Sequence, residues 1–276
     1  MILSIQSDVL HGVVGQQAAQ PLYYGAGFQL GTIDTVTMAA HPGFGTTHRL
    51  VMSPEEMAAL LAECDRLLPA GTLTALHIGY LGSAEQIDVL APFIKAQRAA
   101  HPQLSVLIDP VFGDGGRTYV ADDIIQHMTK TLLPLATLLT PNHFEASYLA
   151  GRPLTDEEDI EQLYRQLGVP SLCVTGLTDD EHRMVTDCLF TTSGVVSVSH
   201  RAQPHGISGA GDAFAAMLHC FLLRGASADV ALHQTSHLVN HMVTDSKSPS
   251  TLEMANGLRS FQNVIGSDLS DLIHRG

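Results

Sequence analysis

The chain has 276 residues, 45% of them hydrophobic, and a formal net charge of −14, a length that suits one large α/β domain and a balance that argues against a nucleic-acid partner. It contains no run of about 18 apolar residues, so no membrane span is expected, and residues 1–6 lack the basic start and small-residue cleavage site of a secretory signal. Its four cysteines, Cys64, Cys173, Cys188 and Cys220, are scattered without a C-x-x-C pair, and reduced thiols in the cytoplasm are expected.

Along the chain, apolar runs alternate with helical periodicity. A first strand is predicted at 2–6, just before Ser7, with Gly12 and Gly15 following. Ser53 caps a helix over 54–68, and a strand at 73–78 leads into Gly79-Tyr80-Leu81-Gly82-Ser83 before a helix over 84–100. A strand at 104–108 opens into Asp109-Pro110-Val111-Phe112-Gly113-Asp114, and one at 136–140 into Pro141-Asn142-His143-Phe144-Glu145. A helix over 156–167 precedes a strand at 172–175, which ends in Thr175-Gly176. Runs 184–190 and 195–199, joined by Thr191-Thr192-Ser193-Gly194, read as an edge hairpin, and helices follow at 212–223 and 228–243. Strands apolar on both faces and separated by helices indicate a three-layer α/β/α domain with a mostly parallel sheet, here one domain over 1–276. Ligands of such sheets bind where strands end at their carboxyl edges, and the polar and acidic clusters named above all follow strands.

The densest signal is Ser208-Gly209-Ala210-Gly211-Asp212, a glycine turn that runs straight into an alanine-rich helix. Side-chain-free turns and helix starts present backbone N–H groups and the positive end of the helix dipole, which favours an anion there. A carboxylate at that spot, Asp212, suits a base that deprotonates an attacking hydroxyl. The chain has only three lysines, Lys95, Lys130 and Lys247, and none follows a glycine-rich loop, so the Walker phosphate site is absent. Backbone amides and a metal ion would then carry the phosphate charge. His233, His237 and His241 lie four apart on one face of the last predicted helix; a zinc stripe stays open there, against which stands the lack of an acidic or Cys partner nearby.

Five pieces in order resemble the ribokinase-like superfamily and, within it, the pyridoxal (vitamin B6) kinases: Gln6-Ser7 with Gly12, Gly79-Tyr80-Leu81-Gly82-Ser83, Asp109-Pro110-Val111-Phe112-Gly113-Asp114, Thr140-Pro141-Asn142 with Glu145, and Gly209-Ala210-Gly211-Asp212. The resemblance covers essentially the whole chain. It implies ATP-dependent phosphorylation of the hydroxymethyl group of pyridoxal, pyridoxine or pyridoxamine. Asp212 would be the base, with Gly209, Ala210 and Gly211 holding the transferring phosphoryl. Asp109, Thr140, Asn142, Glu145 and Thr175 would lie on the ATP side, and Asp114, Tyr119 and Glu145 in the Mg²⁺ arrangement. Ser7 and Tyr80 would contact the substrate ring. The resemblance also implies a homodimer and leaves room for a monovalent cation such as K⁺. Taken alone, Glu145 reads equally as a solvated carboxylate early in a helix, Tyr80 as a packed aromatic with a wet hydroxyl, and Thr140-Pro141-Asn142 as an ordinary turn.

The chain departs from the family over residues 39–48, where a flap covers the vitamin. Ala39-Ala40 replace the usual Ser-Asn, and Phe44 replaces a tyrosine. An aspartate often found before the glycine turn is also missing, with Gly206-Ile207-Ser208 in that place. With Pro42, Gly43 and Gly45 and no hydrophobic periodicity, the flap is expected to be mobile. His41 is expected to meet the substrate when the flap closes and to be exposed otherwise. Two other functions stay open: a hydroxymethylpyrimidine kinase of thiamine synthesis, and a catalytically idle protein of the same fold that binds a vitamer.

Overall fold

The computed structural model describes residues 1–266 except 46–47, 70, 180–182, 204–206 and 249; Gly206 before the glycine turn and Thr46-Thr47 of the flap therefore lie outside the described residues. In chain order the elements are β1 (Ile2–His11), α1 (Gln16–Gly25), β2 (Leu30–Ala40), β3 (Arg49–Val51), α2 (Pro54–Leu67), β4 (Ala75–Ile78), α3 (Ala84–Ala100), β5 (Ser105–Ile108), β6 (Gly113–Asp114), β7 (Arg117–Thr118), α4 (Asp122–His127), β8 (Leu138–Leu139), α5 (His143–Ala150), α6 (Glu157–Leu167), β9 (Ser171–Asp179), β10 (Met184–Thr191), β11 (Gly194–Arg201), α7 (Ala210–Leu223), α8 (Ala228–Asp245) and α9 (Met254–Ile265).

One sheet carries nine strands in the order β11-β10-β9-β8-β5-β4-β1-β2-β3, while β6 and β7 pair separately. From β9 to β2 the neighbours are parallel, and antiparallel strands close both edges: the β10–β11 hairpin on one side and β3 on the other. Alternation along each strand divides the apolar residues between two layers. Leu76, Ile78, Val106 and Ile108 pack under α2–α6, whereas Ala75 and Leu107 face α1, α7, α8 and α9. The result is the α/β/α architecture expected from the sequence.

Local chemistry sets several boundaries. Ser53 and Glu56 form a reciprocal capping box at α2, with Pro54 at its first position. Asp156 is the N-cap of α6 rather than its first residue. Gly151 and Gly168, both left-handed, end α5 and α6. Several elements have no predicted range in the sequence, among them α1, β2, β3, the β6–β7 pair, α4 and α9. Helix α1 contains Pro21 and buries a mixed face of Gln16, Ala18, Ala19, Leu22 and Tyr23; β2 mixes Gly, Thr and Asp; β3 is three exposed residues long; α9 completes the layer over α1 and α8. The first strand also continues to His11, because β2 pairs with it along its length. Ser7 consequently lies inside β1, at a register shift between Gln6 and Asp8, not after the strand.

Candidate active site

At the carboxyl edge of the parallel strands is a cavity of about 1160 Å³, roomy enough for a nucleotide beside a small substrate. Its lining includes Ser7, His41, Tyr80, Asp109, Asp114, Tyr119, Thr140, Asn142, Glu145, Thr175, Gly209, Gly211 and Asp212. The fold thus gathers every residue given a catalytic, ATP-side, substrate or Mg²⁺ role above except Ala210, which follows Gly209 as the first residue of α7.

The glycine turn is shaped by close contacts. Gly209 is the left-handed N-cap of α7, φ 91°, and a Cβ there would stand 1.7 Å from the Val13 carbonyl oxygen. Gly15, φ 55°, is equally constrained, since its Cβ would fall 2.1 Å from the Ser7 carbonyl oxygen. The Gly15 N–H also bonds the Asp212 carboxylate. Gly211 differs, because nothing beyond its chain neighbours and its own helix backbone lies within 4 Å of where its Cβ would be. A glycine there is not required by packing and leaves the helix start open to the cavity. Removal from water raises the Asp212 pKa, against the Gly15 bond, its own amide and the nearby His41.

A second acidic group stands opposite. Glu145 is 2% exposed, which decides against the solvated reading. Its Oε1 accepts from Phe112 N (2.8 Å) and Gly113 N (3.1 Å), and its Oε2 from Asn142 N (3.0 Å). Asn142 is the N-cap of α5, its Oδ1 accepting from Glu145 N at 2.9 Å and its Nδ2 donating to Gly113 O at 2.8 Å. The turn at 140–142 is therefore both a helix start and a clamp on the loop after β5. Burial lifts the Glu145 pKa to about 7 against those three amide bonds. Asp109, also buried, is pushed well above the usual carboxylate range by desolvation and then by Glu145 and Asp212, with the Thr140 hydroxyl opposing. Asp114 is exposed on the small β6–β7 hairpin and accepts from Gly115 N at 2.7 Å; Tyr119 is half-exposed. Among the described residues no group of three or more His, Cys, Asp and Glu side chains is arranged to hold a metal ion by itself.

On the substrate side, Ser7 is buried, and Tyr80 packs beside Val9, Val36 and Met38, so its ring is the packed aromatic of the simpler reading while it also lines the cavity. Thr175 is bridged to Asn142, its N–H bonding Pro141 O at 3.1 Å. The flap expectation is corrected. Ala39 and Ala40 end β2, and Pro42–Phe44 form a 3₁₀ turn. His41 is 6% exposed, its Nδ1 accepting from Gly43 N at 3.1 Å and its Nε2 paired with Ser250 O at 2.9 Å. Its ring also meets Phe44 edge-on at 4.8 Å. These partners bury His41 without any ligand, a long-range contact that no local pattern announces.

Three further features were missed. Arg49 and Arg117 bring positive charge to the cavity wall, from short strands the sequence did not reveal. Val111 has φ 44°, a costly conformation for a β-branched residue, and it lines the cavity beside Asp109. The D-P-V-F-G-D run was the available signal for it.

A family model described as phosphomethylpyrimidine kinase matches residues 36–256. A pyridoxine/pyridoxal/pyridoxamine kinase of Bordetella avium is 31% identical over 241 residues, covering 85% of this chain and 81% of its own. Among solved structures, a pyridoxal kinase of Leishmania donovani in complex with ADP and pyridoxine superimposes with a TM-score of 0.85 at 23% identity, over 96% of this chain and 95% of that one. A phosphomethylpyrimidine kinase so described from Bacteroides thetaiotaomicron, in a form with pyridoxal, gives 0.87 at 23% identity over 94% of both chains. These two share the fold.

Proposed function

The chain belongs to the ribokinase-like pyridoxal kinase family and is a small-molecule kinase, and from that premise we propose that it phosphorylates the hydroxymethyl group of pyridoxal, pyridoxine or pyridoxamine with ATP. The observation that carries the reading is Asp212: a carboxylate of raised pKa, held by the Gly15 amide, beside the open helix start at Gly211. A base works best when its pKa approaches the working pH. Asp212 takes the hydroxymethyl proton as that oxygen attacks the γ-phosphorus; the bond from phosphorus to the β–γ bridging oxygen breaks and ADP leaves with the electron pair. The N–H groups at the start of α7 face the charge on the moving phosphoryl, which is where fixed dipoles are worth most.

The acidic groups fit a hard cation. Asp109 and Glu145 are raised partly by neighbouring carboxylates, the signature of negative charge lacking a counter-ion, and oxygen donors suit Mg²⁺. When bound, Mg²⁺ would neutralise phosphate charge. Glu145, already committed to three amides, would position the loop at 112–113 and meet the ion through water, with Asp114, Asp109 and Tyr119 nearby. Ser7, Tyr80 and His41 would hold the ring, and Thr140, Asn142 and Thr175 the nucleotide. We further propose one catalytic domain over 1–276, a cytoplasmic location on the strength of the four free cysteines, and a homodimer, supported by the exposed Leu10, Leu50 and Val51 at the β1–β2–β3 end of the sheet.

A second reading, phosphorylation of the hydroxymethylpyrimidine of thiamine synthesis, is favoured by the flap, where Ala39, Ala40 and Phe44 offer few polar contacts to a substituted pyridine ring. Coupled measurement of ADP release across the three vitamers and the pyrimidine separates the two. The highest kcat/KM on a B6 vitamer is expected; higher turnover on the pyrimidine reverses the assignment, and no turnover on any leaves a vitamer-binding protein.

A further inference from the structure

Helix α8 presents His233, His237 and His241 at successive four-residue steps, with Asp229 and Asp245 one turn before and after. All three histidines are exposed, because the opposite face of the helix, including Leu232, Leu238, Val239 and Met242, is buried. They are not equivalent. His233 is turned back onto its own helix, with Nδ1 3.0 Å from Asp229 O and 3.5 Å from the Asp229 carboxylate. An acidic partner does therefore stand in the stripe, contrary to the sequence reading, and it occupies His233. His237 and His241 instead face each other, ring centres 4.5 Å apart, and neither has a hydrogen-bond partner among the described residues.

We propose that His237 and His241 form a bidentate site for a first-row transition cation of the Ni²⁺, Cu²⁺ or Zn²⁺ class, outside the active-site cavity. An imidazole nitrogen binds such ions at about 2.1 Å, which puts the ring centre about 3.2 Å from the metal, and two rings bound cis are then about 4.5 Å apart. The observed separation equals that span, so rotation of side chains suffices and the backbone need not move. Helical spacing fixes the pair in advance, because positions four apart are neighbours on the surface. Partial desolvation and the neighbouring His241 lower the His237 pKa, keeping a neutral ring available to a metal. Water fills the remaining positions, consistent with the lack of a three-ligand group among the described residues. Mg²⁺, which demands oxygen donors, does not compete.

Calorimetric titration of NiCl₂ into the full chain, with excess MgCl₂ present throughout, tests this without reference to kinase activity. One Ni²⁺ per chain is expected. His237→Ala and His241→Ala should each weaken binding by about 10²-fold, the advantage of two linked ligands over one, while His233→Ala should leave it unchanged. All three positions are exposed, and circular dichroism checks that each variant is folded. Equal binding by the His237→Ala/His241→Ala double variant, or loss of binding in His233→Ala alone, overturns the assignment.

Discussion

Two clusters of titratable groups lie out of water in this molecule, and they answer that situation in opposite ways. In the core beneath the sheet, the Tyr23 hydroxyl is 3.0 Å from His77 Nδ1 and 2.9 Å from His219 Nδ1, and His219 Nε2 is 3.0 Å from Ser105 Oγ. Burial drives both histidines down to about 3, for His219 with His77 adding to it, so the cluster is neutral. One consistent assignment has His77 Nδ1–H donating to Tyr23, Tyr23 to His219 Nδ1, and His219 Nε2–H to Ser105, with His77 Nε2 left without a partner. In the cavity, Asp109, Glu145 and Asp212 are pushed upward, and their mutual repulsion adds to burial for Asp109. The first cluster nearly closes on itself and ties α1 and α7 to β4 and β5. The second gathers three carboxyls whose negative charge, when ionised, no side chain among them would cancel. A buried polar group that completes its own bonds is architecture; one that cannot is waiting for a ligand.

The most direct way to break the contrast is Asp212→Asn. It keeps the shape and the Gly15 bond but removes the base, so turnover should fall by about 10²–10⁴ while nucleotide binding and melting temperature hold. Near-full turnover would reassign the base.

Tyr23→Phe acts on the other cluster. It leaves His77 Nδ1 and His219 Nδ1 without their shared partner, and unfolding in urea should show a loss of about 2 kcal/mol. The kinetic constants of the folded fraction should stay within about twofold, on the scale where tenfold is 1.4 kcal/mol. A large change in kcat would mean that the core network also sets the active site.

Gly211→Ala sharpens the distinction between packing and ligand approach. With nothing beyond its chain neighbours and own helix backbone within 4 Å of the added methyl group and an early helical position, stability should hold or rise by about 0.5 kcal/mol. If the phosphoryl group rests against this turn, turnover should drop at least about tenfold. Unaltered kinetics would place the phosphoryl elsewhere.

The smallest effect is a slope. His77 and His219 titrate near 6.5 unfolded and about 3 folded, so their stabilisation is present above pH 6.5 and is lost as pH falls toward 3. Glu145 runs the other way: 4.5 unfolded and about 7 folded, it favours the folded state below pH 4.5, and that contribution is lost as pH rises through 7. Between those limits the two clusters oppose each other. Glu145→Gln removes one side, and unfolding free energy should then fall more steeply on acidification from pH 6.5 to 5, by less than about 1.4 kcal/mol per pH unit. An unchanged slope would show that Glu145 is ionised throughout that range.

Motif residues adjacent in sequence were the most legible part of the site. Gly209 to Asp212, Asp109 to Asp114 and Thr140 to Glu145 each carry their geometry locally, as glycine conformation, strand end or helix cap, and they sit where the pattern predicts. Segments without a dominant period were less so. Helix α1 contains Pro21 and buries a mixed face with Gln16 among its apolar residues, and β8 retains two residues of a predicted five. His41 was misjudged for a different reason: its partner, Ser250, is 209 positions away.

By itself, then, the sequence determined the alternation of strands and helices, the parallel sheet and the glycine turn at the start of α7, because all of these rest on periodicity and on glycine or capping chemistry within a few residues. Tertiary structure decided which buried groups are pushed toward their neutral forms and by which neighbours, where Gly15 meets Asp212, and that His41 is enclosed. Those outcomes depend on desolvation and on contacts between distant segments, and neither is written in any local stretch of the chain.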